Sequence, residues 1–334
     1  MSLADKVLKG DEKSAARLIS LIEEGEEEGY EALRLLFPHT GSAHVIGVTG
    51  PAGSGKSTVT GHVAVQFAAQ GFRVGVIAID PTSMRGKGAL LGDRVRMKEA
   101  EKAGDIFIRS MAHRGYPGGV ARAATGAAYV LEGLGKNLII VESVGAGQSD
   151  KALFLLADTV ITLLTPDYGD EIQLLKAGLL EIGDIIVVNK KDKPGAEDAW
   201  RELLHRCGRL TEQGWLTPVL LTRADRNEGI DALLQAVQSH WRFLKESTTW
   251  KQQKQEKITS FTSSLLKEEL WKRFLEQQAT TAQFERVMQD VQAGRKDPYT
   301  AVDELLESIT PVVERKGRKE QTKGTGRGKK GLKN

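Results

Sequence analysis

The chain has 334 residues, 40% of them hydrophobic and 27% charged, with a net charge of +3. That is the make-up of an ordinary globular protein, longer than one hydrophobic core usually holds, and it predicts one large domain with helical additions. The single cysteine, Cys207, excludes an internal disulfide framework, and no apolar run approaches the roughly 18 residues of a membrane helix. The first residues form neither an apolar signal region nor an Arg-rich, acid-poor presequence, so a cytoplasmic location is expected.

Residues 1–38 read as two short helices. Ala15, Leu18, Ile19 and Ile22 lie at helical spacing, Ala32, Leu33, Leu35 and Leu36 follow, and Pro38 ends the stretch. From residue 44 strands alternate with helix-sized segments. The predicted strands are 44–49, 73–79, 105–109, 137–142, 159–164, 184–189 and 218–222. Most are short apolar runs without clean alternation, as in strands buried on both faces, so the expected fold class is α/β with a mostly parallel central sheet flanked by helices. After residue 245 the strand signals stop. Residues 251–293 are polar and helical, with apolar stripes at Ile258, Phe261, Leu265, Leu266, Leu270 and Phe274 and at Phe284, Val287, Met288 and Val291. Gly294 stops this helix, and Asp297-Pro298 starts another as N-cap and first helical residue. Such an amphipathic arm needs a surface to cover it, either its own domain or a second copy of the chain. Residues 313–334 hold nine Lys/Arg against two Glu, a balance of +7 that leaves the rest of the chain at −4. A Gly- and Lys-rich segment of this kind is expected to be a disordered, solubilising tail, the alternative being contact with an acidic partner or nucleic acid.

Gly50-Pro51-Ala52-Gly53-Ser54-Gly55-Lys56-Ser57-Thr58 matches the phosphate-binding P-loop pattern at every fixed position, between a predicted strand and a predicted helix. Its glycines let backbone N–H groups converge on phosphate oxygens, and the helix N-terminus adds a positive dipole end. Lys56 is expected to reach the β- and γ-phosphates and the Ser57 hydroxyl to bind Mg²⁺. Carboxylates for the magnesium are sought at strand ends and in loops near the carboxyl edge of the sheet. Asp80 and Glu142 each end a strand, and Asp93 lies in the loop Gly88–Arg94. Since magnesium commonly takes one or two carboxylates beside phosphate and water, some of these would act through water. A carboxylate at a strand end is also a common helix cap. Glu142 is followed by Gly145, whose N–H could meet the γ-phosphate, and by Gln148, a candidate for positioning the attacking water. Arg94, Arg109 and Arg114 could reach the phosphates or could be structural.

Asn189-Lys190-Lys191-Asp192 follows a predicted strand about 130 residues beyond the P-loop. A carboxylate at Asp192 can accept from both N1–H and the 2-amino group of guanine, whereas adenine offers no such donor pair. Sites that leave buried polar groups unpaired discriminate by ~10⁴–10⁵. Asn189 is expected to tie this loop to the P-loop, and the Lys190 stem to cover the base. Thr222-Arg223-Ala224 ends the last strand, where many GTPases offer a backbone N–H to guanine O6.

With these motifs in place, the sequence resembles the MeaB/ArgK family of P-loop GTPases. The resemblance rests on Gly50–Thr58, Asp80-Pro81-Thr82-Ser83, Leu91-Gly92-Asp93-Arg94, Phe107–Met111, Arg114-Gly115 with Gly118-Gly119, Val141–Ser149, Gly169–Gln173, Asn189–Asp192 and Asp297–Ala301, and covers about residues 1–312. The chain is expected to divide into an N-terminal helical extension (1–40), a P-loop GTPase domain (41–246), a C-terminal helical arm (247–312) and a basic tail (313–334), and the resemblance implies that the arm is a dimerisation arm. It further implies magnesium among Ser57, Asp80, Asp93 and Glu142, with switch behaviour around 82–96, 143–149 and 167–178. The family is one of GTP-hydrolysing chaperones for methylmalonyl-CoA mutase and related adenosylcobalamin-dependent acyl-CoA mutases. They gate cofactor loading and protect the mutase, so the resemblance implies a mutase partner, and it implies a homodimer; with no membrane-length apolar run, no membrane contact is expected, and nucleic acid is not the expected partner. No Asp-x-His-x-x-Gly segment is present, so the chain itself is not expected to bind cobalamin. Lys87, where the family carries glycines and Ser, and Ser143, where it usually has Thr, are departures from the pattern.

Two other classes share this fold. A nickel-type metallochaperone GTPase would need a metal cluster, whereas the six histidines are scattered through the sequence. A protein kinase would need a group that activates the acceptor, and no dedicated motif for one is present.

Overall fold

The computed structural model describes residues 1–81, 104–113, 119–143, 156–166, 180, 182–208, 210–211, 214–247, 249–276 and 278–306. The chain divides into two compact units, Met1–Phe261 and Thr262–Asn334.

The first unit is built on seven strands: β1 (His44–Thr49), β2 (Val74–Pro81), β3 (Ile106–His113), β4 (Leu138–Glu142), β5 (Thr159–Leu164), β6 (Ile185–Val188) and β7 (Val219–Leu221). Their order across the sheet is β3-β2-β4-β1-β5-β6-β7, and every pairing is parallel. Runs such as Leu-Ile-Ile-Val and Ile-Ile-Val-Val form these strands because β-branched side chains suit a pleated surface covered on both sides. All residues of β1, β4, β5 and β6 are buried.

Helices α4 (Lys56–Ala69), α5 (Gly119–Gly133), α6 (Ala196–Cys207) and α7 (Ile230–Glu246) cover the sheet. On one face α4 and α7 bury Val59, Val63, Phe67, Leu233 and Val237 against Ile46, Val48, Val76, Ile140 and Ile161. Phe67 is 1% exposed, a burial that stabilises the fold by roughly 1.5–3 kcal/mol. On the other face α5 joins the N-terminal helices α1 (Leu3–Leu8), α2 (Glu12–Glu24) and α3 (Glu27–Leu36) over Val45, Ile77, Ile139 and Val141. Helix α6 covers the β6–β7 end with Leu203 and Trp200.

The N-terminal segment therefore holds three helices where the spacing predicts two. Helix α1 has six residues, too few to show a period, and is fixed by a Ser2–Asp5 capping box and by burial of Ala4 and Val7. Among the described residues no helix is long and apolar enough to cross a membrane.

Helix α8 (Thr249–Glu276) runs across the division between the units, and α9 (Gln278–Gln292) lies in the second. Within the second unit Trp271 stacks on Phe274 with ring centroids 5.5 Å apart, and Phe284 meets both edge-on. Asp297 caps the helix at 298–306 by accepting from the Tyr299 and Thr300 amides, both at 3.0 Å. Leu266, Leu270, Trp271, Tyr299, Val302 and Leu306 are more than half exposed.

Candidate functional site

Strand β1 delivers the chain into the loop 50–55 at the carboxyl edge of the sheet. Two glycines there have no substitute. Gly50 has φ +142, and a Cβ on it would stand 2.2 Å from the Leu163 carbonyl oxygen. Gly55, with φ +94, is the N-cap of α4, and a Cβ on it would stand 2.4 Å from Asn189 Nδ2. Both positions combine a conformation that L side chains avoid with a neighbour that leaves no room.

Helix α4 starts at Lys56, so its N–H groups and dipole face the loop. Lys56 is 8% exposed, and its ammonium donates to the carbonyl oxygens of Gly50 at 2.8 Å and Pro51 at 2.9 Å. The Ser57 hydroxyl donates to Glu142 Oε1 at 2.6 Å across 85 residues of sequence, with Glu142 6% exposed at the end of β4. A hydroxyl and a buried carboxylate in contact are a hard-oxygen pair of the kind magnesium prefers, so these residues fit that ion. Behind them Ser143 Oγ lies 3.2 Å from Thr49 Oγ1, and its amide donates to the Val48 oxygen at 2.9 Å.

The backbone of Asp80 lies at the carboxyl end of β2, opposite Ala112 of β3. Its side chain, and all of Asp93, Gly145 and Gln148, lie outside the described residues, as do the loops around 82–96, 144–149 and 167–178 and the tail 313–334. Among the described residues no group of three or more His, Cys, Asp or Glu side chains is placed to hold a metal ion. Arg109, a candidate for the phosphates, instead pairs with Glu23 of α2 at 2.6 Å and bonds Ser20 at 3.0 Å.

Asn189, 3% exposed, joins three segments. Its Nδ2 donates to the Ser54 oxygen at 2.8 Å, and its Oδ1 accepts from Thr222 Oγ1 and from the Ala224 amide, both at 3.1 Å. Lys190 turns the chain through a left-handed conformation, φ 61, and the Lys191 amide donates to the Thr222 oxygen at 3.0 Å. Asp192 then emerges 44% exposed. The amides of 222–224 all have acceptors within the chain: Thr222 N–H donates to the Val188 oxygen at 2.8 Å, Arg223 N–H to the Glu228 oxygen at 3.0 Å, and Ala224 N–H to Asn189. A contact from one of these amides to guanine O6 would have to break one of those bonds.

Two ion pairs span the same loops. Arg223 Nε lies 3.6 Å from Asp192 Oδ1 and donates to Asp225 Oδ1 at 3.2 Å, while Lys191 Nζ lies 3.3 Å from Glu228. Asp192 and Lys191 lie in the Asn189–Asp192 motif, but no signal in the sequence marks their pairing with Arg223 and Glu228.

At the opposite, amino edge of the sheet a second polar cluster is buried. His44 Nε2 and His240 Nδ1 share the Thr159 hydroxyl at 2.8 and 2.9 Å, and His240 Nε2 lies 3.6 Å from Asp184. Burial lowers His44 to a pKa of about 3 and His240 to about 4, and raises Asp184 to about 6. Two of the six scattered histidines thus meet, at the edge remote from the P-loop.

Comparison with known proteins agrees with this architecture. A family model described as methylmalonyl-CoA mutase-associated GTPase MeaB matches residues 15–279. A protein of Pyrococcus abyssi named as a GTPase is 40% identical over 315 residues, covering 92% of this chain and 96% of that one. A fused isobutyryl-CoA mutase of Cupriavidus metallidurans is 34% identical over 245 residues, 70% of this chain but 22% of that much longer protein. A solved structure described as LAO/AO transport system kinase has the same fold, with a TM-score of 0.69 at 24% identity over 92% of this chain and 96% of that one. The chain belongs to the MeaB family of methylmalonyl-CoA mutase-associated GTPases, and its reaction is the hydrolysis of GTP.

Proposed function

We propose that this GTPase is a magnesium-dependent switch that acts as a chaperone for an adenosylcobalamin-dependent acyl-CoA mutase, gating loading of the mutase's cofactor and protecting the mutase. The observation that carries the reading is the fused isobutyryl-CoA mutase, in which a segment similar to this chain shares one polypeptide with a mutase. Fusion of this kind fits two components that work in contact.

The site supports the switch. The P-loop amides and the N-terminus of α4 bind the phosphates, and Lys56, whose ammonium bonds the Gly50 and Pro51 carbonyls within the same loop, neutralises the β- and γ-oxygens when nucleotide enters. Ser57 and Glu142 would hold magnesium, with Asp80 and Asp93 as further carboxylates, and the ion would neutralise charge developing on the phosphates. Asp192 reads the N1–H and 2-amino group of guanine, Lys190 covers the base, and Asn189 fixes both to the P-loop through Ser54. Gly145 and Gln148, which come after β4 in the sequence, are assigned the γ-phosphate contact and the positioning of the attacking water. GTP then holds the switch loops in one arrangement and hydrolysis releases them, so that the mutase meets two different surfaces. The C-terminal arm joins two copies into a homodimer through its exposed apolar side chains, and the chaperone works in the cytoplasm without binding cobalamin itself.

The test is binding between this protein and acyl-CoA mutases in the presence of GDP, GTP or a non-hydrolysable GTP analogue. The proposal expects one mutase to bind with an affinity that depends on the nucleotide by ~5-fold or more, the usual lower range of coupling between two sites. Equal binding in all nucleotide states, or none, contradicts it.

A further inference from the structure

The geometry points to Arg223 as the residue that reads guanine O6, through its side chain rather than its amide. The inference rests on the assignment of Asp192 to the guanine edge.

Three observations carry it. The amides of Thr222, Arg223 and Ala224 are committed to Val188, Glu228 and Asn189, so the backbone donor that GTPases commonly offer to O6 is engaged elsewhere. The Arg223 guanidinium stands beside the reading carboxylate, with Nε 3.6 Å from Asp192 Oδ1. It is also held there: its Nε–H donates to Asp225 Oδ1, and the amide and carbonyl of Arg223 both bond to Glu228 in a short antiparallel bridge. A guanidinium has five N–H donors, so the four on its terminal nitrogens are additional to the one given to Asp225.

The chemistry of the base completes the argument. On guanine O6 and N1–H are neighbours on one edge, so the acceptor that takes N1–H and the donor that reaches O6 must themselves be neighbours. Asp192 and Arg223 are such a pair. A carboxylate for N1–H and N2–H beside a guanidinium for O6 complements the whole edge. Adenine would set its 6-amino donors against the cation and its N1 lone pair against the carboxylate. Arg223 is 31% exposed, so its terminal nitrogens can turn toward a base without opening the core.

Three triphosphates separate the contacts. ITP keeps O6 and N1–H but lacks the 2-amino group read by Asp192. 6-Thio-GTP keeps N1–H and the 2-amino group but replaces O6 by a weakly accepting sulfur. A hydrogen bond from a charged donor changes affinity by ~10-fold or more. Wild-type protein should therefore prefer GTP to 6-thio-GTP by about that factor. Arg223→Ala should bring this ratio close to one while keeping the GTP:ITP ratio of the wild type. Arg223→Met, which keeps the aliphatic stem without a donor, should behave alike and replaces the alanine variant if that unfolds.

A wild-type GTP:6-thio-GTP ratio in the Arg223 variants overturns the proposal. So does equal loss of both ratios, which is the signature of a residue that only supports Asp192. Asp192→Asn separates the two assignments: it should abolish the GTP:ITP preference. If that preference survives, the guanine-edge reading itself is lost. If Asp192→Asn behaves as expected and the Arg223 variants do not, only the role of Arg223 falls.

Discussion

Asn189→Ala removes a side chain that bonds the P-loop, the end of β7 and the following turn at once. The three bonds, to the Ser54 oxygen at 2.8 Å and from Thr222 Oγ1 and the Ala224 amide at 3.1 Å, lie in a site where Asn189 is 3% exposed. At about 1 kcal/mol net for each bond, with the orphaned donors left buried, the loss is about 3 kcal/mol. In a folded unit of this size 1 kcal/mol moves Tm by ~2–4 °C, so the variant should melt ~6–12 °C lower. Thr222→Val removes one of the three bonds at a position that is 0% exposed and should lower Tm by about a third as much. Thermal melts followed by circular dichroism give the stability, and the KM for GTP, which should rise in Asn189→Ala, reports the effect on the site. A Tm within ~2 °C of wild type together with an unchanged KM would refute the idea that Asn189 organises the base and phosphate loops as one body.

Gly55→Ala should abolish most GTP binding, because the added Cβ falls 2.4 Å from Asn189 Nδ2 and φ +94 suits only glycine; equilibrium nucleotide binding checks it. Glu142→Gln keeps the shape of the Ser57 partner but removes its charge, and should raise the magnesium concentration for half-maximal hydrolysis by ~10-fold or more, read from a magnesium titration at fixed GTP. Stability should fall as pH drops from about 6 to about 4. Below pH 6.5 the unfolded chain protonates two histidines that the fold keeps neutral down to about 4 (His240) and about 3 (His44), while Asp184 opposes this by taking a proton in the folded state below about 6. Two groups against one leave a net slope of about 1.4 kcal/mol per pH unit. His240→Gln should flatten it, as urea melts at pH 4.5, 5.5 and 6.5 would report.

Most of the sheet is legible in the sequence because its strands are concentrated Val/Ile runs separated by helix-length segments. Residues 44–49 and 159–164 are strands at the predicted bounds, and the fully parallel order places the P-loop at the central strand. Helix α1 was hidden by its length, since six residues held by a capping box have no period to detect. In the site, the glycines at 50 and 55 and the Asn189-to-Ser54 bond belong to local motifs whose spacing is set by the chemistry of phosphate and guanine. Asp192 and Lys191 belong to a motif, but their ion pairs with Arg223 and Glu228 depend on how two loops meet at the sheet edge. The Thr159 hydroxyl shared by His44 and His240 joins residues 115 and 81 positions away in sequence, a meeting that only the strand order brings about.

GTP hydrolysis by the purified protein, measured with and without adenosylcobalamin-dependent acyl-CoA mutases, separates a GTPase that serves a mutase from one that does not. Slow intrinsic turnover and clear stimulation by one mutase are expected, with known GTPase partners reaching ~10³–10⁵-fold. Hydrolysis that no mutase changes would contradict the chaperone role.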